Sequence, residues 1–309
     1  MRELILLGPQ RPDVNLNQPF DQLETTKPIA VISAGWQEAE GDIDDVRAIV
    51  RRKLNDLKLY HRAEAIFAKD KTLREHYRQR QDRLQELQRV HRIRLRPAML
   101  AARRVLRAEG DAQILRHERR HAISQLRSLD RHHTKSIAAL HRDFDAVIHD
   151  RPSDRLARQA EQVADAVDHA DVVLITGGNV AVLLNRLRLF GLKEMLQDKT
   201  IVAWSAGAMA LTQQVVLYHD RTPLGNRDAE IFDCGLGILP GTVLLPDARH
   251  RLRQKDPVYV GLFCRRFAPA DCLTLDNGAI LHYRDGRLDA ATGVRRLLRG
   301  GKSRKVRGQ

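Results

Sequence analysis

Residues 171–190 read DVVLITGGNVAVLLNRLRLF, and residues 200–213 read TIVAWSAGAMALTQ. Each begins with a short run of branched and apolar side chains. A cluster of small residues follows, and then a helix-compatible stretch. The first unit is a strand at Val172–Thr176, a turn at Gly177-Gly178-Asn179, and a helix at Val180–Phe190 closed by Gly191. The second is a strand at Thr200–Trp204 and a helix over Ala206–Gln213, with Ser205 at the junction. Strand–turn–helix units in succession predict a mostly parallel sheet with helices on both faces. In such a sheet the two turns share the carboxyl edge, where ligands bind.

The same texture extends to both ends of the chain. Residues 3–8 (ELILLG) and 28–34 (PIAVISA) are apolar runs bounded by turn residues, as expected of strands buried on both faces. Leu156–His169 reads as a helix, and Val243–Leu245, Cys272–Leu275 and Ala279–Tyr283 read as further strands. Between Ile43 and Asp150 the pattern is different. This stretch holds one proline, Pro97, and one glycine, Gly110, and its apolar residues recur at helical spacing. It predicts two long amphipathic arms reversing at Pro97, which must project from the core or pair with another copy. The expected organisation is a three-layer α/β core with a mostly parallel, flavodoxin-like sheet, built from 1–42 and 151–294. A helical hairpin is inserted at 43–150, and the basic tail 295–309 is disordered.

Charge follows this division. The chain carries a formal +14, and residues 51–150 hold 25 Lys/Arg against 13 Asp/Glu. Residues 295–309 add 7 Lys/Arg and no acid, which leaves the rest mildly acidic. The basic character therefore belongs to a segment and does not mark the whole chain as a nucleic-acid binder. Aromatic residues are sparse in the hairpin, which disfavours base stacking. Self-association into a homodimer, or a lid, is the preferred role for the insertion. Cys234, Cys264 and Cys272 form no CxxC pair and suit a reducing compartment. The first residues lack the pattern of a secretory signal and no long apolar run occurs, so a cytoplasmic protein without membrane contact is expected.

The chemistry centres on Ala203-Trp204-Ser205-Ala206-Gly207-Ala208. A tight turn between strand and helix lifts the Ser205 hydroxyl off the sheet edge and requires small neighbours. The helix start behind it offers free N–H groups and a positive dipole end, both favourable to an oxyanion. The competing reading is a serine that merely caps a helix. Gly177-Gly178-Asn179 can aim backbone N–H groups into the same site, and Asn179 is a candidate for contact with substrate. A base must be a histidine outside the hairpin: His250 follows a strand and a turn at Pro246-Asp247, with His219 in reserve. His169 and His282 read as structural. Asp276 is the leading acid to orient the imidazole, with Asp220, Asp228 and Asp247 as alternatives. No Cys/His cluster or HExxH motif is present, so neither metal nor cofactor is expected. Arg11, just past the first strand, is a candidate for binding a substrate carboxylate.

Trp204-Ser205-Ala206-Gly207-Ala208, Thr176-Gly177-Gly178-Asn179 and Gly235-Leu236-Gly237-Ile238-Leu239 leading to His250 resemble the peptidase E and cyanophycinase family of serine peptidases. The resemblance covers roughly 1–35 and 170–292 and excludes the hairpin. It implies a class I glutamine-amidotransferase-like fold and cleavage of peptides at aspartyl residues or of an aspartate–arginine polymer. Carried over, it makes Ser205 the nucleophile, His250 the base, and the Gly178 and Ala206 amides the oxyanion donors. Leu275-Asp276-Asn277-Gly278-Ala279 matches the family's acidic segment, with Asp276 where a Glu is usual. Ala203 stands where Gly is usual, and Arg251 where an aromatic follows the His. The expected function is a serine peptidase or amidohydrolase acting on a peptide or small amide. The alternative is a catalytically inactive core serving as a binding or assembly module through its hairpin.

Overall fold

The computed structural model describes residues 3–150, 153–219 and 227–308. In chain order the first half contains β1 (Glu3–Leu7), α1 (Asn17–Gln22), β2 (Ile29–Ile32), α2 (Asp44–Val50), β3 (Leu54–Asp56), α3 (Leu59–Lys69), α4 (Lys71–Arg107) and α5 (Ala112–Asp150). Next come α6 (Asp154–Asp168), β4 (Val172–Ile175), α7 (Val180–Leu189), α8 (Leu192–Met195), β5 (Thr200–Trp204), α9 (Ala206–Ala210), β6 (Gln214–His219) and β7 (Arg227–Cys234). The chain closes with β8 (Thr242–Pro246), α10 (Ala248–Arg251), α11 (Pro257–Phe267), β9 (Asp271–Leu275), β10 (Ile280–Arg284), β11 (Arg287–Thr292), β12 (Arg295–Leu297) and β13 (Ser303–Lys305).

The main sheet has seven strands in the order β11-β10-β1-β5-β4-β2-β3. The five from β1 to β3 run parallel, and β10 and β11 add an antiparallel edge. Successive strand residues face opposite sides, and both faces are apolar. Leu4, Leu6, Ile32, Val173, Ile175 and Ile201 pack on one side, with α3, α6 and α7. Ile5, Leu7, Val31, Leu174 and Val202 pack on the other, against Leu16, Phe20, Val46 and Val50 of the α1–α2 region. A strand covered on both sides needs no polar alternation, which is why these four central strands read as continuous apolar runs. A second sheet, β13-β12-β9-β8, and the β6–β7 ribbon complete the fold.

Three expectations need correction. The insertion begins near residue 70, because 43–69 belongs to the core: β3 pairs in parallel with β2, and α3 packs beneath the sheet. Pro97 lies inside α4, and the arms reverse instead at Ala108–Asp111. There Gly110 takes φ 147°, and the Asp111 carboxylate accepts from the Gln113 and Ile114 amides, both at 2.9 Å. A proline removes one helical hydrogen bond, and a long helix packed along its length survives that loss. The tail is ordered through residue 308: β12 pairs with β9 and β13, Leu297 is buried, and the Val306 N–H donates to Val294 O. Arg304 and Lys305 are outward charges of the edge strand β13, and Arg296 on β12 pairs with Asp271 at 2.8 Å, so the basic composition is no sign of disorder.

The arms do not project. At their base the Asp70 carboxylate caps α4 through the Leu73 amide and accepts from Ser153 Oγ at 2.6 Å, joining the two feet. Leu95, Met99 and Ala102 of α4 meet Ala122 and Leu126 of α5 and Leu262 of α11 in one apolar cluster. Around it the basic arms find acids of the same chain. Arg92 is bidentate to Glu230 at 2.6 Å, Arg103 pairs with Asp228, and Arg107 with Asp256 at 2.8 Å. His141 Nε2 sits 2.8 Å from Asp233 Oδ1. The stripes that suggested a homodimer are thus largely covered by their own core, so their length no longer demands a second copy.

Candidate active site

Ser205 stands between β5 and α9 with φ 48° and ψ −113°. A residue with a Cβ holds such a conformation at a cost of roughly 1–3 kcal/mol, so the surroundings must impose it. Its amide donates to Leu7 O at 3.1 Å, and its carbonyl accepts from Met209 N at 3.0 Å. Gly207 gives the turn its tightness. A Cβ there would lie 2.6 Å from Ile175 O and 2.7 Å from Thr176 O, so only glycine lets α9 start this close to the end of β4.

The glycine turn after β4 lies alongside. A Cβ on Gly177 would come 3.3 Å from Ser205 Cβ and 3.0 Å from the Trp204 ring. Gly178 takes φ 113°, and a Cβ there would meet Gly35 O at 2.4 Å. The Asn179 amide donates to that same Gly35 oxygen at 2.7 Å. Among the described residues, no acceptor takes the N–H of Gly178 or of Ala206. Asn179 itself is committed: its Oδ1 caps α7 through the Ala181 and Val182 amides, and its Nδ2 donates to Gln37 Oε1 at 3.3 Å. That occupation argues for a structural role over substrate contact. Gln37, at φ 59°, and Trp36, whose ring centroid is 6.4 Å from that of Trp204, also border this corner. Sequence reading passed over both, because they follow a strand without any motif.

His250 lies on α10, just after β8, and α9 packs against β8. Its Nδ1 is 2.6 Å from Asp247 Oδ1, and the other oxygen of Asp247 accepts from Arg251 Nε at 3.1 Å. Asp247 adopts a left-handed conformation, φ 58°, while its amide donates to Leu275 O. The residue expected to hold the imidazole, Asp276, does something else: its Oδ1 accepts from the Arg249 amide at 2.7 Å, and its side chain is buried beneath α10. Asp276 thus fixes the helix that carries His250, and Asp247 makes the contact. The imidazole is 76% exposed, and among the described residues nothing bonds to Ser205 Oγ.

The end of β1 ties these parts together. Leu7 O receives the Ser205 amide, and Gly8 donates to Ala279 O at 3.0 Å. Gly8 abuts Asp276 so closely that a Cβ would fall 1.9 Å from its carbonyl oxygen. Asn277 Nδ2 donates to Pro9 O and Asp13 O, both at 2.8 Å, which pins the loop carrying the exposed Arg11 beside the Asp276 turn. Asp228, an alternative acid, is taken by Arg103 in the hairpin contact. His282 bonds to Glu3 at 2.7 Å and His169 to Asp165 O, both structural as expected. Asp220 and the side chain of His219 lie outside the described residues.

The sequence profile of peptidase family S51 matches residues 130–291, more than half of the chain and including Gly178, Ser205, Asp247, His250 and Asp276. This chain belongs to peptidase family S51. Membership places it among peptide-bond hydrolases. No curated protein sequence matches it. Fourteen solved chains resemble it. One is a peptidase from an acI-B1 Actinobacterium, with a TM-score of 0.47 and 12% identity, covering 99% of this chain and 97% of that one. No helix among the described residues of this S51 chain is long and apolar enough to cross a membrane.

Proposed function

We propose that the chain is a serine peptidase whose nucleophile is Ser205. Its hydroxyl attacks the scissile carbonyl while His250 Nε2 takes the proton and then delivers it to the leaving amine, and a water deprotonated by the same imidazole hydrolyses the acyl ester and regenerates Ser205. Asp247 holds Nδ1 and stabilises the imidazolium, and Asp276 keeps α10 in place. The Gly178 and Ala206 amides receive the oxyanion. The observation that carries this reading is the forced backbone of Ser205 beside two uncommitted amides, the arrangement of a nucleophile elbow. Arg11, on its pinned loop, is the candidate to bind a substrate carboxylate, which would favour aspartyl peptides.

Steady-state hydrolysis of an Asp-Xaa dipeptide and its Ala-Xaa counterpart tests the assignment. Ser205→Ala should lower kcat by about 10⁴-fold with folding intact. Arg11→Ala should raise KM for the aspartyl substrate only. Wild-type turnover in Ser205→Ala would return the chain to the other reading, an inactive core acting through its hairpin.

A further inference from the structure

Arg92, Arg103 and Arg107 of the hairpin each meet an acid of the core, but one group of arginines at this seam has no acidic partner among the described residues. On α5, Arg120, Arg127 and Arg131 share a face with Ile123 and Ser124, by their spacing along the helix. Arg265, in the last turn of α11, and Arg299, in the β12–β13 turn, face them across a cavity of about 330 Å³ floored by Ile123 and Ala268. Arg127 donates to Ala268 O, which accounts for one guanidinium. Among the described residues no carboxylate pairs with any of the five. The contrast is local: Arg266, next in sequence to Arg265, is bidentate to Asp130 at 2.6 and 2.7 Å on the other side of the same helices. Five converging cations from three elements repel one another, and an anion removes that penalty.

We propose that this cavity is a binding site for a short phosphate chain, distinct from the Ser205 site, with which it shares no lining residue. Guanidinium groups match phosphate oxygens bidentately, and several can share one di- or triphosphate. The cavity has no aromatic wall on which a base could stack, which argues against single-stranded nucleic acid. Ser124 is the only other polar side chain among its lining residues, and no lining side chain is a carboxylate or an amide that could accept from a peptide N–H. A bound phosphate chain would bridge α5, α11 and the β12–β13 turn, and so fasten the hairpin to the core.

Calorimetric titration of the full chain with inorganic tripolyphosphate tests this, with a nucleoside triphosphate and a short poly-aspartate peptide in parallel. Saturable binding of one equivalent of tripolyphosphate is expected. The paired change Arg120→Gln and Arg131→Gln, both at exposed positions, should weaken it by about tenfold or more. The charge-matched pair Arg94→Gln and Arg96→Gln on exposed α4 positions should leave it nearly unchanged. Tighter binding of the nucleotide would assign the site to a nucleotide's phosphate tail, and equal binding to the free chain; both support the proposal. No saturable binding, equal weakening by the two pairs, or binding of poly-aspartate alone would overturn it.

Discussion

Arg266 and Asp130 offer the sharpest test of how the hairpin is held. Arg266 is 1% exposed and Asp130 7%. Besides its two bonds to Asp130, the guanidinium donates to Ala229 O on β7 at 2.5 Å and contacts Met99 Sδ on α4. One side chain of α11 thus joins both arms and the ribbon. Removing one member of a buried pair strands the other charge and costs about 3–5 kcal/mol, far more than the value of an exposed pair, about 0–1 kcal/mol. Asp130→Ala should therefore lower stability by about 3–5 kcal/mol. Asp130→Leu combined with Arg266→Met removes both charges and should restore most of that loss. Urea unfolding resolves where the loss falls. Trp36 and Trp204 are the two tryptophans and lie together at the core's site corner, so fluorescence follows the core. Far-UV circular dichroism is dominated by the long α4 and α5. The two probes should coincide in the wild type and separate in Asp130→Ala, with dichroism lost first. A loss under about 1 kcal/mol, or a double variant no better than the single, would refute the latch.

Other outcomes follow from the same contacts. Acid should loosen the hairpin. Burial and the neighbouring His133 push His91 down to about 4, and burial also lowers His133, with which it stacks at 3.9 Å. The unfolded chain takes up these protons near pH 6.5 and the folded one only lower, so stability present above pH 6.5 should fall as pH drops toward 4; a flat melting temperature over that window would contradict this. Asp247→Asn should reduce kcat by orders of magnitude, while Asp276→Asn should act mainly through a displaced α10, with a smaller loss in kcat and a larger one in thermal stability. Excising 71–150 behind a short linker should leave an aggregating core, because Leu262 and the ribbon would be uncovered, Glu230 would lose Arg92, Arg266 its carboxylate and Asp233 its His141 contact; a soluble, active core by light scattering and assay would refute that.

What the sequence disclosed follows from burial. The central strands stood out because both faces are covered, and Gly178 and Gly207 because no side chain fits where they stand. The ribbon was invisible for the opposite reason. β7 reads RDAEIFDC, and its Asp228, Glu230 and Asp233 look like loop acids until Arg103, Arg92 and His141 are seen opposite them. The same blindness made the hairpin look like a projecting basic arm, since a helix pattern does not reveal which distant acids it meets. β3 is three residues, LND, at a sheet edge, too short and polar to register. The Asp247–His250 spacing was present in the sequence, but the left-handed backbone that turns the carboxylate onto the imidazole was not.

The central claim is that Ser205 is an activated nucleophile, and covalent labelling measures it directly. Treatment with a serine-directed fluorophosphonate, followed by peptide mapping, should place a single adduct on Ser205. The adduct should disappear in Ser205→Ala and form markedly more slowly in His250→Ala. An unlabelled Ser205 in folded protein, or labelling that ignores the loss of His250, would contradict the account.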